Sequence, residues 1–269
     1  MEVTRFLTIY VPSTDVHINS GSLKCFVESI SNVYEHEVLI EVYSSIDTDD
    51  VNYLFSKYPC QTFTDRNINP EKFFGRRDYH KIEIFNQILS RVKSQQVIAF
   101  CDVDTVIAKP IKLPDDDWDL IFTTRHPWIG EPHYVNLGVW FANVRKDNKN
   151  RLSWFMQNWL HTPLWGMRND WSNHYQTYMK HPDLKSYSEG NFEFDRIVSQ
   201  SVINSFCAYD WVGQGTYNWD GLKVKIMGEE YNYPWKFGNK MPEDTYIYHL
   251  KGTAESKVDR ANYLLKELY

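Results

Sequence analysis

The sequence predicts an α/β fold: an open, mostly parallel sheet flanked by helices, with a smaller subregion added by the second half of the chain. Three observations carry this. Apolar, β-branched runs alternate with helix-spaced apolar stripes over the first ~125 residues, the pattern of strands joined by crossover helices. Val97 to Cys101 is an unbroken apolar run, as expected of a strand buried on both faces. All ten tryptophans lie between Trp118 and Trp235, so the second half changes character. No linker, repeat or low-complexity stretch separates the halves, and a single domain over residues 1–269 is expected.

Element by element, Phe6 to Val11 is apolar and β-branched and is ended by Pro12, Ser13 and Thr14. It reads as a buried strand, so close to residue 1 that no stem or anchor is expected before it. Ser22 to Val33 carries Leu23, Phe26, Val27 and Ile30 at the spacing of one helix face. Val38 to Tyr43 is a second strand. Thr48, Asp49 and Asp50 form an acidic start to a helix running to Phe55. Gln61 to Thr64 reads as a short third strand. From Asp78 to Val92, Ile82, Ile84, Phe85, Ile88 and Leu89 recur at helical spacing and lead into the strand at Val97. Leu120 to Thr124 is a further strand.

Composition narrows the function. With 269 residues the chain can build a sizeable core. Its 29 basic and 35 acidic residues leave a net charge of −6, which argues against nucleic-acid binding through bulk positive charge and leaves only a local basic patch for it. No apolar run approaches the ~18 residues of a membrane span and the sequence shows no basic-plus-apolar signal pattern, so no transmembrane segment is expected and peripheral membrane contact stays open. Cys25, Cys60, Cys101 and Cys207 lie far apart with no CxxC pair, so neither a zinc site nor a disulfide framework is expected. The absence of any Asn-x-Ser/Thr sequon fits a cytoplasmic chain.

The chemistry concentrates after the central strand, where Asp102 and Asp104 stand at i and i+2. If the extended conformation persists, both carboxylates share one face at the carboxyl edge of the sheet, where ligands of such folds bind. Adjacent carboxylates repel unless a positive charge lies between them. A divalent hard cation, manganese or magnesium, shared with a diphosphate answers that requirement. The alternative is a solvated acidic turn. His249, on a later strand end, has a neutral nitrogen to offer, but taken alone it reads as an ordinary hydrogen-bonded core or surface histidine, and only motif context makes it a third-ligand candidate.

Several segments, in order, resemble the nucleotide-sugar-dependent glycosyltransferases of the GT-A fold, specifically family 8, the glycogenin and galactosyltransferase-like enzymes. Asp102-Val-Asp104 resembles the family's DxD strand. Tyr79 to Phe85 is similar to the helix whose basic residue approaches the donor, which casts Lys81 in that role, its alternative being a solvated helix lysine paired with a nearby carboxylate such as Asp78. Tyr134 to Asn143 is similar to the F-N-S-G-V block, with Asn136 and Gly138 matched. Ser199 to Asn204 resembles the D-Q-x-x-L-N block, with Gln200 and Asn204 matched and Ser199 in place of the acid. Glu230 to Pro234 is similar to a Y-N segment. Ile247 to Gly252 resembles the terminal H-x-x-G block. The family lysine three residues after that glycine falls on Glu255, so Lys251 or Lys257 must substitute for it.

The resemblance implies a GT-A, Rossmann-like sheet. Residues 1–125 or so would form the nucleotide-sugar-binding half and residues 126–269 the acceptor half with the metal and diphosphate block. It implies a manganese- or magnesium-dependent transfer of a sugar, with retention, from a nucleotide-diphosphate donor, UDP-linked, to a glycan or other hydroxyl acceptor. Asp102, Asp104 and His249 would hold the metal. Lys81, Asp102, Asn136, Gly138, Lys251 and Gly252 would contact the donor, with Arg76 and Arg77 competing with Lys81. By topology the strand end from Tyr10 to Ser13 would meet the base and ribose, the alternative for Tyr10 being a place in the core. Gln200 would sit at the donor sugar's reactive face. An inverting mechanism would instead need a carboxylate base, Asp170, Asp195 or Asp210. Trp154, Trp159, Trp165, Trp171, Trp211 and Trp219 crowd a region rich in Tyr and Asn. Most are expected in the core and one or two along an acceptor site.

Two other readings compete. Phe100 to Thr105 also fits the hhhDxDxT motif of haloacid-dehalogenase-type phosphatases, with Asp102 as nucleophile. That motif normally opens its fold, whereas here strand and helix signals precede it. The other is an inactive carbohydrate-binding protein, against which the intact acid pair and histidine argue. A sugar-nucleotide pyrophosphorylase is disfavoured because the first strand lacks a Gly-rich phosphate loop.

Overall fold

A computed structural model describes residues 1–10, 21–35, 38–44, 56–58, 60–64, 70–125, 134–166, 215–219, 221–250 and 254–269. The helix expected from Thr48 to Phe55 lies outside them. In chain order the elements are β1 (Arg5–Tyr10), α1 (Gly21–Tyr34), β2 (Leu39–Ser44), β3 (Cys60–Thr64), α2 (Pro70–Arg91), β4 (Gln96–Cys101) and β5 (Thr105–Ile107). They continue with β6 (Leu120–Arg125), β7 (Tyr134–Val144), α3 (Lys149–Gly166), β8 (Gly215–Trp219) and β9 (Leu222–Met227). A 3-10 turn (Glu229–Tyr231), β10 (Tyr233–Trp235), β11 (Ile247–Leu250) and α4 (Ala254–Leu268) complete the described elements.

Eight strands form the main sheet in the order β3-β2-β1-β4-β7-β6-β9-β8. β1, β2, β3 and β4 pair in parallel, as do β6 and β9, while β7 runs against both β4 and β6. The expected open, mostly parallel sheet is what forms, with β7 inserted antiparallel at its middle. That reversal places the start of β7, with Asn136 and Gly138, at the edge where β1 and β4 end.

The pleat sorts the core onto two faces. On β4, Ile98 and Phe100 enter the cluster with Phe85, Ile88, Phe122 and Trp140, while Ala99 and Cys101 enter the one with Phe6, Phe26, Ile121 and Phe141. Trp140 stacks on Phe100 at 5.2 Å and meets Phe85 edge-on at 4.9 Å. Truncating a buried aromatic of this kind typically costs about 3–5 kcal/mol. The packing pins β4 to β7, the two strands on which the acid pair depends.

α2 begins at Pro70, well before the expected Asp78. Proline suits a first helical position, because the missing N–H is one the helix leaves unpaired anyway. Gly75, a weak helix former, and the Arg76–Arg77 pair interrupt the apolar pattern and hide the extension from the sequence.

A second sheet, β10-β11-β5, lies where the acid pair emerges, with His249 opposite Thr105 in the antiparallel β5–β11 register. α4 covers it through Ala261 and Leu264, which pack with Cys25, Val106, Trp235 and Tyr248. No described helix is long and apolar enough to cross a membrane.

Candidate metal centre

β4 ends at Cys101, and Val103 and Asp104 form a turn before β5. The shared strand face expected for the two aspartates is therefore not what unites them; the turn does. Thr105 Oγ1 donates to the Asp102 carbonyl at 2.8 Å and closes it. Asp102 N–H donates to the Gly138 carbonyl at 2.7 Å, and Leu250 N–H donates to the Asp104 carbonyl at 2.9 Å. Backbone bonds thus tie the turn to β7 on one side and to β11 on the other.

One ligand atom each from Asp102, Asp104 and His249 lies within 4.8 Å of the others. His249 Nε2 stands 3.3 Å from Asp104 Oδ1 and 3.8 Å from Asp102 Oδ2. The remaining carboxylate oxygens carry ion pairs: Asp102 Oδ1 with Lys81, and Asp104 Oδ2 with Lys257. Lys81 also donates to the Leu137 carbonyl at 3.3 Å and is 4% exposed. It is not the solvated helix lysine that its spacing from Asp78 allowed. Two oxygens and one nitrogen converge while the outer oxygens are held by ammonium groups, so the donor set suits a hard divalent ion.

Gly138 makes this approach sterically feasible. A Cβ there would overlap His249 Cε1 and would lie 2.7 Å from His249 Nδ1 and 2.8 Å from Asn136 Oδ1. Behind the histidine runs a buried polar network. His249 Nδ1 is 2.8 Å from Asn232 Oδ1. Asn232 Nδ2 donates to Thr123 Oγ1 at 2.9 Å and to Asn136 Oδ1 at 3.2 Å. Neither Asn232 nor Thr123 was a candidate from sequence, although Asn232 falls in the Tyr-Asn segment. Burial, then the neighbouring Asp102 carboxylate, pushes the Cys101 thiol far above its ordinary range, so this cysteine is not a thiolate beside the site.

The structure brings together Lys81, Asp102, Asp104, Asn136, Gly138 and His249 among the expected residues and adds Lys257, which stands against Asp104. Tyr10, at the end of β1, is 2% exposed and packs in the core cluster with Phe6 and Phe26. Trp154 is 52% exposed. Ser13, Asp170, Asp195, Gln200, Asp210, Lys251, Gly252, Trp171 and Trp211 lie outside the described residues.

No family model matches the chain, and no curated protein matches it. Solved structures do. Over 98% of this chain and 95% of the other, it is similar to galactosyltransferase LgtC in complex with donor and acceptor sugar analogs, at 12% identity and a TM-score of 0.51. It is also similar to the glycosyltransferase GlyE of Streptococcus pneumoniae TIGR4, at 11% identity and a TM-score of 0.52, over 99% of this chain and 63% of GlyE. The fold is the GT-A fold of these glycosyltransferases.

Proposed function

We propose that this chain is a metal-dependent glycosyltransferase that moves a sugar, with retention, from a UDP-sugar to a hydroxyl of a glycan or other acceptor. The observation that carries this is the convergence of Asp102, Asp104 and His249 at the carboxyl end of β4, on a fold shared with glycosyltransferases. A manganese or magnesium ion held by these three would supply positive charge to a diphosphate leaving group. Lys81 orients Asp102. Lys257 holds Asp104 and stands where a second cation can meet the diphosphate in place of the lysine that Glu255 displaces. Asn136 and Gly138 would line the donor side, and motif resemblance adds Ser13, Lys251 and Gly252 to it and assigns Gln200 to the donor sugar's reactive face. Asp195, with Asp170 and Asp210, is a carboxylate that an inverting route would use as base. The phosphatase alternative needs the Asp102 strand to open the fold, whereas β1, β2 and β3 precede β4 and form the sheet on one side of it.

The test is a donor screen. Each nucleotide sugar is incubated with manganese, and hydrolysis or transfer is measured. In parallel, UDP with manganese should stabilise the protein by about 2.7 kcal/mol at a hundredfold excess over the dissociation constant. Stabilisation by magnesium with a phosphate mimic, and none by UDP, would favour the phosphatase instead.

Lys257→Met offers a finer check. Without its ammonium, Asp104 loses a partner in a pair only 13% exposed on each side. The metal-free variant should lose about 1–3 kcal/mol of stability, and manganese should stabilise it more than it stabilises the wild type. Equal shifts in both proteins would detach Lys257 from the site.

A further inference from the structure

We infer that Asn232 is a positioning residue that fixes the proton of His249 on Nδ1 and so turns a bare Nε2 toward the carboxylate pair. The inference deepens the metal-site reading above, but the hydrogen-bond roles behind it are set by backbone groups. Two separate chains of hydrogen bonds fix the Asn232 amide. In the first, the Gly138 N–H can only donate, and it donates to Asn136 Oδ1 at 2.9 Å. That atom is therefore an acceptor, and the Asn232 atom 3.2 Å from it must be the NH2 group. In the second, the Val139 carbonyl can only accept, and it takes the Thr123 hydroxyl proton at 2.7 Å. Thr123 Oγ1 is left to accept from Asn232 at 2.9 Å, which again requires the NH2 group.

Both chains therefore turn the Asn232 carbonyl oxygen to His249 Nδ1, 2.8 Å away. An oxygen there accepts, so Nδ1 must donate. A neutral imidazole with its proton on Nδ1 has a lone pair on Nε2, the atom facing Asp104 Oδ1 and Asp102 Oδ2. A lone pair aimed at two carboxylate oxygens is favourable only with a cation among them. Asn232 is 1% exposed, so water does not compete for its oxygen. Outer partners of this kind orient a ligating histidine and sustain its affinity.

The test begins with the wild type, metal-free, in which the ring nitrogens of isotope-labelled His249 are read by long-range proton–nitrogen NMR at mildly basic pH. A proton on Nδ1 is the expected result; a bare Nδ1 with the proton on Nε2 overturns the inference. Manganese affinity of Asn232→Leu and Asn232→Asp is then measured by titration with paramagnetic detection, after thermal melts show both folded. Leu removes the acceptor and should weaken manganese binding about 10–100-fold. Asp keeps an acceptor for Nδ1 but sets an oxygen against Asn136 Oδ1 and Thr123 Oγ1 in place of the amide donors, so it should melt below the wild type yet bind manganese more tightly than the Leu variant. Equal loss in both variants would assign Asn232 a merely structural role and overturn the inference. Should the wild type carry the proton on Nδ1 yet bind no manganese or magnesium, the metal reading would fall while the tautomer assignment stood.

Discussion

Asp104→Asn should lower manganese-dependent UDP binding by about 100-fold or more while the fold survives. The substitution keeps size and hydrogen-bonding shape but removes one of the two negative charges facing His249 Nε2. A hundredfold loss corresponds to ~2.7 kcal/mol, within the range of one charge-assisted contact. The fold survives because the turn is held through the Asp104 carbonyl, which takes the Leu250 N–H, and not through the side chain. Lys257 loses its ion pair, so a fall of a few degrees in Tm is expected. Titration calorimetry with UDP, with and without manganese, reads the effect. Unchanged affinity in a folded variant would remove Asp104 from the metal site.

Gly138→Ala should be the most damaging single methyl in the site. The added carbon has no room against His249 Cε1 or Asn136 Oδ1, and both neighbours are held by the Asn232 network. Overpacking of this kind costs about 1–3 kcal/mol, and its relief must move the imidazole or the strand. A lower Tm together with at least a tenfold loss of manganese affinity is expected, a tenfold change being ~1.4 kcal/mol. Gly238→Ala is the control. Gly238 adopts φ +83 with nothing within 4 Å, so alanine there is strained but displaces no ligand. It should cost stability and leave metal affinity intact. Equal metal affinity in Gly138→Ala and the wild type would show that the histidine position is not needed.

The sheet was legible wherever burial imposes a pattern. β1, β2, β4 and β6 announce themselves as apolar runs, and α1 as a stripe. The direction of β7 was not legible, because an apolar run looks the same read either way along a sheet. β5 is three residues long, too short for a period to register. At the site, Asp102, Asp104 and His249 were legible from residue type and motif resemblance, but the geometry proposed for the aspartates was not. Alternation assumes a strand, and the chain turns at Val103. Asn232 and Thr123 could not be found by periodicity, since what they contribute is a donor or acceptor in a tertiary network. Lys257 was named from sequence only as a substitute for a displaced lysine. Its pairing with Asp104 depends on how α4 settles on β11.

The two lysines that balance the acid pair differ in how far the chain must close to deliver them. Lys81 and Asp102 are 21 residues apart, on α2 and just past the end of β4, the next element, whereas Lys257 and Asp104 are 153 apart. The entropy of closing the longer loop exceeds that of the shorter by about 1.7 kcal/mol. The Lys81–Asp102 pair therefore lies within the local α2–β4 unit, whereas the Lys257–Asp104 pair exists only where β11 and α4 sit against β5. Any opening that lifts α4 from the second sheet would strip Asp104 of its counter-charge and leave Asp102 with its own.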